Sequence, residues 1–525
     1  MKIAYVILHY MAERDTIECA HSILNATVQS AHDIDIVIVD NGSPNDSYDN
    51  IEAEFRAVKN VKVIKSESNL GFAKGNNIGF SYAKHQLGAD FIVMLNNDTI
   101  LSQKDFNEKL VKKFEEEQYS VLGPDIVTAD GFHQNPGMKQ SWGLIELAIF
   151  RLKKRIRILL SYIQKLGKTE AASKDNYPSE TLKGDVKNTI LHGACWIFSP
   201  LFVKRFEGIC PDTFLYMEED ILKLWADSYD FLMMYTSELS IYHKEDVSTN
   251  MIEGTIDEKI RRKYKRLIDS SIIYSRIKRK FIFKKKVICI VSKVVSMIKS
   301  SGKYEIDMDM PFAYLMDVIF QRVIMLLRGV IKSIAIKKHG KTLFLGKNVR
   351  LKCKSKIQIG TGTTIQDNVY IDALSKNGFR VGNACNIGSG TIIRCSGNYK
   401  SLGVGFQMGN NSSLADNCFV GATGGVWIGD NVIGGQNIRF HASNHNFKDT
   451  DVLIKNQGVT ARGIYIGNDC WIGAGVVFCD GVTVGNGCVI GSNAVITKSF
   501  GDNCIIAGVP AKVIGQREAG EKREY

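Results

Sequence analysis

The chain has 525 residues, 45% of them hydrophobic and 23% charged, so we expect two or three folded domains and exclude a disordered, fibrous or multispanning membrane protein. The net charge of +12 has a local origin, because residues 259–299 hold 15 basic residues and one acid, whereas the rest of the chain holds 52 basic and 54 acidic residues. Charge concentrated in one segment indicates a local partner, such as an anionic membrane face.

The sequence shows no features of a secreted or membrane-spanning chain. The first apolar run, residues 3–8, is too short for a signal peptide, and no stretch reaches the roughly 18 apolar residues of a membrane span. The 12 cysteines show no zinc-ligand spacing, and we expect them to serve as small core residues. We therefore expect a cytoplasmic protein.

Residues 1–130 alternate between short strand-like runs and helical patterns. The strand-like runs are residues 3–8, 36–39, 61–64 and 91–95, and helical patterns cover 16–24 and 75–86. This alternation predicts a mostly parallel sheet covered by helices on both faces. Asp40 and Asp98 each come just after a strand-like run, and the carboxyl ends of strands line the ligand crevice of such sheets. We therefore expect both acids in a site.

Residues 258–340 are basic and amphipathic with few strand signals, and residues 142–168 form a second segment of this kind. Both combine Lys and Arg with Ile, Leu and Phe, which suits contact with the anionic inner leaflet of a membrane. In that reading the lysines at 284–286 supply charge and the apolar residues 281–283 insert shallowly. The alternative is a helical spacer with a solvated basic face. Nucleic-acid binding is disfavoured, because no base-reading module accompanies the charge.

From residue 341 onward the sequence changes to Gly, Asn and isolated aliphatic residues with a period of six. The main ladders are Ile466, Ile472, Phe478, Val484, Ile490, Ile496 and Ile464, Cys470, Val476, Val482, Cys488, Ala494. Upstream ladders are Ile359, Ile365, Ile371, with Ile357, Thr363, Val369 beside them, and Leu402, Met408, Leu414, Val420, Val426. Such a repeat builds the flat sides of a triangular coil, with the ladder residues pointing inward. The period predicts a parallel β-helix.

Over residues 341–515 these ladders resemble the left-handed parallel β-helix acyltransferases of the hexapeptide-repeat family. The likeness is strongest to sugar O-acetyltransferases related to maltose and galactoside acetyltransferase. It includes a break in the repeat at 440–463 and a closing segment at 506–515. The resemblance implies acetyl-CoA as the acyl donor and a homotrimer with active sites between neighbouring subunits.

The break in the repeat carries two histidines, and long loops on rigid scaffolds usually carry function. Acyl transfer to a hydroxyl needs a base with a pKa near neutrality. The resemblance implies that His445 is this base, with His441 as second choice, and that Asn417 lies near an active-site asparagine. It also implies a coenzyme A groove lined by Trp471, Ala474, Lys498 and Lys512. The alternatives are a structural loop histidine, a packed tryptophan and solvated lysines.

Residues 1–257 resemble an inverting family 2 glycosyltransferase with the GT-A, Rossmann-like fold, especially its rhamnosyltransferase-like branch. The motifs occur in the family's order: His9-Tyr10, residues 39–43 (Val-Asp-Asn-Gly-Ser), 69–77, 95–99 (Leu-Asn-Asn-Asp-Thr), 193–195 (Gly-Ala-Cys), 214–220 and 242–245. The resemblance implies a nucleotide-sugar donor, UDP- or dTDP-linked, and a divalent cation, Mg²⁺ or Mn²⁺.

A departing nucleoside diphosphate needs its charge neutralised, commonly by a cation held by carboxylate. Asp98 fits as the metal ligand and His243 as a second ligand. The family's usual pair of acids here reads Asn-Asn-Asp at 96–98, so one carboxylate remains. The resemblance places three further residues along the donor: Asp40 at the base, with Lys74 and Asn77 along the nucleotide or its phosphates.

Inversion also needs a general base that deprotonates the acceptor hydroxyl. The cluster Glu218-Glu219-Asp220 stands at the family's place for this base, and mutual repulsion raises the pKa of at least one member. Asp220 is the first choice and Glu219 the second, because the three-acid form shifts the motif by one residue. The alternative is a solvated helix start, where the helix dipole favours acids.

These observations predict a multidomain chain with three parts: an α/β GT-A domain at 1–257, a basic helical linker at 258–340 and a left-handed parallel β-helix at 341–525. We expect a bifunctional enzyme of bacterial surface polysaccharide synthesis, for capsule or O-antigen, acting on a glycan or polyprenyl-linked acceptor. One alternative is a single-activity O-acetyltransferase with a degenerate, glycan-binding N-terminal domain. The other is a glycosyltransferase trimerised by an inactive coil.

Overall fold

The computed structural model describes residues 1–137, 141–163, 182–244, 255–299, 305–396 and 402–518. The chain divides into two compact units, Met1–Lys286 and Val287–Tyr525. The division falls inside a long helix. The domain boundaries predicted at 257/258 and 340/341 mark changes in amino-acid composition and pattern, and they stay predictions. Lys165 and Lys168 of the second basic segment lie outside the described residues.

The first unit is an α/β domain in which helices and strands alternate along the chain. Its elements are β1 (Lys2–His9), α1 (Glu13–Thr27), β2 (Asp33–Asp40), α2 (Ser47–Phe55), β3 (Val61–Lys65), α3 (Phe72–His85), β4 (Phe91–Asn96), β5 (Thr99–Ile100), α4 (Phe106–Glu117), β6 (Val121–Thr128), α5 (Leu144–Ile163), β7 (Asp185–Lys187), β8 (Cys195–Phe198), α6 (Pro200–Arg205), α7 (Glu218–Tyr229), β9 (Met233–His243) and α8 (Ile256–Lys299), which continues into the second unit. All four predicted strands and both predicted helical patterns are confirmed.

A nine-stranded sheet, counted over the described residues, organises this unit in the order β3-β2-β1-β4-β8-β6-β9-β5, with β7 paired to β9. Strands β1 to β4 are parallel where they pair, and β8 is antiparallel to β4. Along β1, Ile3, Tyr5 and Ile7 enter the core on one face, and Ala4 and Val6 enter the core on the other. Because helices cover both faces, polar groups gather at the carboxyl edge of the parallel strands.

The second unit begins with helical residues and continues as a coil of short strands. Its elements are α9 (Phe312–Ser333), β10 (Lys338–His339), β11 (Leu343–Leu345), β12 (Arg350–Lys352), β13 (Ile357–Ile359), β14 (Thr363–Ile365), β15 (Tyr370–Asp372), β16 (Phe379–Val381), β17 (Asn386–Ile387), β18 (Ile392–Arg394), β19 (Phe406–Met408), β20 (Ser413–Leu414), β21 (Phe419–Gly421), β22 (Val426–Ile428), β23 (Ile433–Gly434), β24 (Arg439–His441), β25 (Asn444–His445), β26 (Val459–Thr460), β27 (Ile464–Ile466), β28 (Trp471–Ile472), β29 (Val477–Phe478), β30 (Thr483–Val484), β31 (Val489–Ile490), β32 (Val495–Ile496), β33 (Cys504–Ala507) and β34 (Lys512–Gln516), with 3-10 turns at Lys354–Lys356 and Ile454–Asn456.

Three sheets form the walls of this coil, and successive strands pass from wall to wall. The first wall runs β10-β13-β16-β19-β22-β27-β30, the second β11-β14-β17-β20-β23-β28-β31-β33-β34, and the third β12-β15-β18-β21-β24-β29-β32. Strand pairing is parallel along each wall, apart from the final β33–β34 hairpin. The predicted parallel β-helix is therefore confirmed.

The ladder residues form the core of the coil, with one exception. Leu402, predicted as the first member of its ladder, is 42% exposed. It lies in the long connection between β18 and β19, where the step of six is interrupted, so its predicted inward orientation is wrong. Glycine permits α9 to approach the coil closely, since a Cβ on Gly329 would lie 1.8 Å from the carbonyl oxygen of Leu343. Within the described ranges, no helix has the length and apolarity that crossing a bilayer requires.

Candidate active sites

The carboxyl edge of the parallel strands places His9 beside Asp40 in register. The Asp40 side chain is 1% exposed and lies 3.8 Å from Nε2 of His9. Its carboxylate oxygens accept the backbone N–H of Ser43 at 3.3 Å. Burial lowers the pKa of His9 to about 4, so His9 is neutral near pH 7. Contact between Asp40 and a nucleotide base stays a prediction, and it requires movement of the residues that cover this carboxylate.

Asp98 and His243 meet because β5 starts directly after Asp98 and pairs with the end of β9. Thr99 lies opposite His243 in this antiparallel pairing. Oδ1 of Asp98 is 3.2 Å from Nε2 of His243, and both side chains are almost fully buried. Two neighbouring ligands, each about 2.1 Å from one Mg²⁺, lie about 3 Å apart, so this pair fits the predicted shared metal. Their metal-binding role itself stays a prediction.

Two residues that sequence reasoning missed adjoin this pair. Oε1 of Gln134 lies 2.7 Å from Nδ1 of His243, which favours a proton on Nδ1 and a lone pair on Nε2 towards Asp98. The ring centroid of His192 lies 5.8 Å from that of His243, and burial lowers the pKa of His192 to about 3. His192 directly precedes the 193–195 motif, which was a usable signal, whereas nothing local marks Gln134. Among the residues that the structure describes, no set of three His, Cys, Asp or Glu is arranged to hold a metal ion.

The three acids at the start of α7 face different surroundings. The backbone N–H of Gly193 donates to Oε1 of Glu219 at 3.2 Å. Glu219 therefore lies next to the segment that joins His192 to the start of β8. Burial and then the charge of Asp220 raise the pKa of Tyr274 in α8. The hydrogen bond from Gly193 places Glu219 at the polar edge of the sheet, and the role of Asp220 as the base stays a prediction.

Burial also raises the pKa of two of these acids. It raises the pKa of Glu219, and burial followed by the charge of Glu219 raises the pKa of Glu218 to about 8. The predicted rise in pKa is present, but burial contributes more to it than the repulsion on which the prediction was based. Because Glu218 is neutral near pH 7, it does not repel a negative charge on Glu219.

Helix α3 carries the two residues predicted to lie along the donor. Lys74 is exposed in its first turn, where the helix N-terminus and an ammonium group both favour phosphate. Asn77 has a structural partner, because its Nδ2 donates to the carbonyl oxygen of Ile209 at 2.7 Å and its Oδ1 accepts the N–H of Ile209 at 2.9 Å. Both donor contacts stay predictions, and the amide of Asn77 already holds the 208–209 turn.

In the second unit, Asn417 and His441 belong to the same wall of the coil. Asn417 precedes β21 at a corner where the backbone is left-handed, with φ of 58°. The other left-handed residues stacked at this corner are Asn348, Asn368, Gly390, Asn437, Gly475 and Asn493. Asparagine tolerates this conformation, which explains residue 417 without a catalytic role. The ring centroid of His441 lies 5.7 Å from that of Phe419, and His441 is exposed.

His445 lies on an arm that interrupts the coil between β24 and β27. Its strand β25 pairs antiparallel with β26, with His445 opposite Val459. At the base of the arm, the Asp480 carboxylate accepts the backbone N–H groups of Arg462 and Gly463 at 2.8 Å. The arm is therefore anchored to the coil, and the His445 side chain is exposed.

The residues predicted to line a coenzyme A groove are distributed over two walls. Trp471 in β28 is 57% exposed, and Lys512 at the start of β34 belongs to the same sheet. Ala474 is half-buried at the following corner, and Lys498 is exposed just after β32 of the next wall. Over the described part of the chain, no hydrogen bond or ion pair joins these residues to the two arm-side histidines. Their predicted roles stay predictions.

Comparison with known proteins agrees with both motif sets. The Glycosyl transferase family 2 model matches residues 5–199, and the Bacterial transferase hexapeptide (six repeats) model matches residues 463–498. The Galactoside O-acetyltransferase of Escherichia coli (strain K12) is 35% identical over 127 residues, which is 24% of this chain and 62% of that protein. The low-salt glycan biosynthesis hexosyltransferase Agl10 of Haloferax volcanii is 25% identical over 133 residues, which is 25% of this chain and 39% of that protein.

A solved structure of S. aureus TarS 1-349 superposes with a TM-score of 0.31 and 15% identity, covering 50% of this chain and 71% of that chain. The chain spans less than two thirds of the length of the curated relatives that it matches. The N-terminal part of the chain therefore matches a family 2 glycosyltransferase model over residues 5–199, and the C-terminal part matches a hexapeptide-repeat transferase model over residues 463–498.

Proposed function

We propose that this chain is a two-site transferase of bacterial surface glycan synthesis, for capsule or O-antigen. The first unit transfers a sugar from a UDP- or dTDP-sugar with inversion, and the coil O-acetylates a sugar from acetyl-CoA. The observation that carries this proposal is the convergence of Asp98, His243 and Glu219 at the carboxyl edge of the sheet, with Glu219 joined through Gly193.

In this proposal Asp98 and His243 hold a divalent cation, Mg²⁺ or Mn²⁺. When bound, the cation neutralises the charge that develops on the leaving diphosphate. Two protein ligands suit Mg²⁺, which usually takes its remaining ligands from water and substrate phosphates. Gln134 orients His243, and Lys74 pairs with the donor phosphates at the start of α3.

Glu219 is the proposed general base, in place of Asp220. Its raised pKa brings it closer to working pH, where a base accepts protons most effectively. The carboxylate takes the proton of the acceptor hydroxyl while the hydroxyl oxygen forms a bond to the anomeric carbon. The nucleoside diphosphate leaves from the opposite side with the bonding electron pair, and this geometry inverts the anomeric centre.

In the coil, His445 is the proposed base for acetyl transfer, with His441 as the alternative. The imidazole takes the proton of a sugar hydroxyl, whose oxygen attacks the thioester carbonyl. The thiolate of coenzyme A leaves and is then protonated. Trp471, Ala474, Lys498 and Lys512 would bind coenzyme A, and Asn417 would contact the reacting groups.

We also propose a homotrimer, in which a neighbouring coil completes the acetyl site. The exposed His445 and the exposed Trp471 support this assembly, because a single chain leaves both candidate regions uncovered. Light scattering should report a trimer for the full chain and a monomer for a chain truncated before residue 341. A monomeric full chain would contradict both the trimer and a shared acetyl site.

The decisive experiment is mass spectrometry of products from a panel of nucleotide sugars, with and without acetyl-CoA and divalent metal. The proposal expects metal-dependent sugar transfer and a separate acetylated product. Acetylation without donor turnover would leave a single-activity O-acetyltransferase with a glycan-binding first unit. Sugar transfer without acetyl-CoA turnover would leave a glycosyltransferase assembled by its coil.

A polyprenyl-linked acceptor would require the protein to work at the inner face of the cell membrane. We include peripheral membrane contact in the proposal for this reason. The 15 basic residues among 41 at positions 259–299 support it, because an anionic leaflet attracts such segments.

A further inference from the structure

Helix α5 buries Leu147 in a hydrophobic cluster but leaves a row of other apolar side chains exposed. Its exposed side chains recur every three or four residues: Ile145, Ile149, Leu152, Ile156, Leu159 and Leu160, hereafter the α5 stripe. Ile145 is 80% exposed and Leu159 is 62% exposed. A surface helix of a globular domain normally buries such a stripe against the core. Within the first unit, the described residues therefore leave the α5 stripe uncovered.

The opposite, cationic face of α5 packs against α8. Nη1 of Arg151 donates to Oγ of Ser275 at 2.9 Å, and Nη1 of Arg157 donates to the hydroxyl of Tyr264 at 3.3 Å. Nζ of Lys154 lies 4.5 Å from the centroid of the Tyr264 ring. Rotation of α5 to bury its stripe would break these contacts, so the exposure of the stripe follows from how α5 is held.

A groove of about 400 Å³ lies between α5 and α8, hereafter the cationic groove. It is lined by Arg151, Arg155, Ser275, Arg276, Arg279 and Lys280. Within the described residues, the side chains of Arg155, Arg276, Arg279 and Lys280 form no ion pair. Like charges held this close repel one another, and an anion in the groove would relieve that repulsion.

The positive charge around the α5 stripe favours one of two possible binding partners, a second copy of this chain or a membrane. A second copy docking through this face about a two-fold axis would place the same cations against each other. An anionic leaflet instead offers phosphates to the cations and acyl chains to the stripe. The location differs from the sequence-based expectation at 281–286, since Phe281 packs on Tyr229 with ring centroids 5.3 Å apart. Ile282 and Phe283 remain exposed.

We propose that α5 lies in the interface of an anionic bilayer, with the α5 stripe among the acyl chains and lipid phosphates in the cationic groove. This surface rests on the peripheral membrane contact of the proposed function and gives that contact a location. The stripe supplies a salt-resistant part of the binding, and the groove supplies a part that salt weakens.

The test is co-sedimentation of the full chain with phosphatidylcholine vesicles, with and without phosphatidylglycerol, over a salt series. The triple variant Arg276→Gln, Arg279→Gln, Lys280→Gln should bind anionic vesicles about a hundredfold more weakly at low salt. The double variant Leu152→Gln, Ile156→Gln should lose about tenfold or more, at low and high salt alike. All five side chains are exposed, so both variants should fold.

Matched controls remove the same number of exposed positive charges or exposed apolar side chains elsewhere on the first unit. Lys59→Gln, Lys104→Gln, Lys204→Gln removes three exposed positive charges, and Val28→Gln, Leu201→Gln removes two exposed apolar side chains. Both controls should bind vesicles like the unmodified chain. Equal losses in controls and test variants would overturn the proposal, because binding would then follow total charge or surface apolarity.

Two further outcomes would also overturn it. The first is a change of oligomeric state in the Leu152→Gln, Ile156→Gln variant without vesicles, which would assign the stripe to a second copy. The second is binding of inorganic diphosphate without any binding to anionic vesicles, which would assign the groove to a soluble anion. Sugar transfer to a short water-soluble acceptor should be unchanged in both test variants. Failure of vesicle binding with transfer intact therefore rejects this surface and the proposed membrane contact but not the proposed activity, and absent transfer rejects the proposed activity alone.

Discussion

The two candidate sites of this chain are built in opposite ways. In the first unit, Asp98, His192, Glu219 and His243 come from distant parts of the chain and are enclosed where strand ends meet. In the coil, the candidate residues are exposed on its outer surface, apart from the half-buried Ala474. Enclosure lets burial set the pKa values of Glu218, Glu219 and His192, as these shifts show. An outward-facing site must obtain its enclosure from a substrate, a cofactor or another subunit.

Asp98→Ala tests whether the two sites work independently, and it should have the largest effect. Losing the carboxylate that holds the cation should lower sugar transfer by about a thousandfold or more. Acetyl transfer should stay within about twofold, because Asp98 and the candidate acetyl site belong to different compact units. Paired transfer and acetyl-CoA assays on one preparation measure both. If both reactions stop while the circular dichroism spectrum is unchanged, the two-site model is wrong.

Glu219→Gln and Asp220→Asn form a matched pair that tests the enclosed site. Removing the base should lower kcat of sugar transfer by about a thousandfold for Glu219→Gln. Asp220→Asn should change kcat by less than about threefold, because Glu219 is the acid that the Gly193 N–H contacts at the sheet edge. Steady-state kinetics with saturating donor and metal distinguish the two. The reverse ranking would restore Asp220 as the base.

His445→Ala tests the exposed site. Loss of the base should lower acetyl-CoA turnover by about a hundredfold, while sugar transfer is retained. His441→Ala is the control on the adjoining strand and should have a smaller effect. Release of free thiol from acetyl-CoA in the presence of a sugar acceptor measures both variants. If His445→Ala retains full acetyl transfer, His445 is not the base. His441 would then be the base if His441→Ala loses activity, and neither histidine would be the base if it does not.

Glu218→Gln tests whether enclosure controls stability in the first unit. The folded-state pKa of Glu218, about 8, lies above its unfolded value, so its contribution to stability is full below the unfolded pKa and is lost as pH rises through about 8. Each pKa unit corresponds to about 1.4 kcal/mol. Urea denaturation should therefore show that the free energy of unfolding of the unmodified chain falls between pH 5 and pH 9. In Glu218→Gln this fall should be smaller by one to a few kcal/mol. If the free energy of unfolding depends on pH in the same way in both proteins, the pKa of Glu218 is not raised by burial.

Local patterns in the sequence were enough to predict the architecture. The alternation of strands and helices and the period of six are short-range signals, because the pleat and the coil repeat over a few residues. Leu402 is instructive, since its spacing matches the ladder although its segment leaves the coil. Spacing predicts which residues can share a face only while the regular structure continues.

The sequence also placed Asp98 and His243 in the candidate site, because Asp98 follows a strand-like run and His243 belongs to the last motif of an ordered set. Tertiary structure alone joined Gln134 to His243 and directed Glu219 to Gly193. It likewise decided that α5 packs through its cations and exposes its apolar stripe. The physical reason is the same in each case. A local pattern defines the faces of a strand or helix, but contacts between residues far apart in the chain decide which face is buried and what it meets.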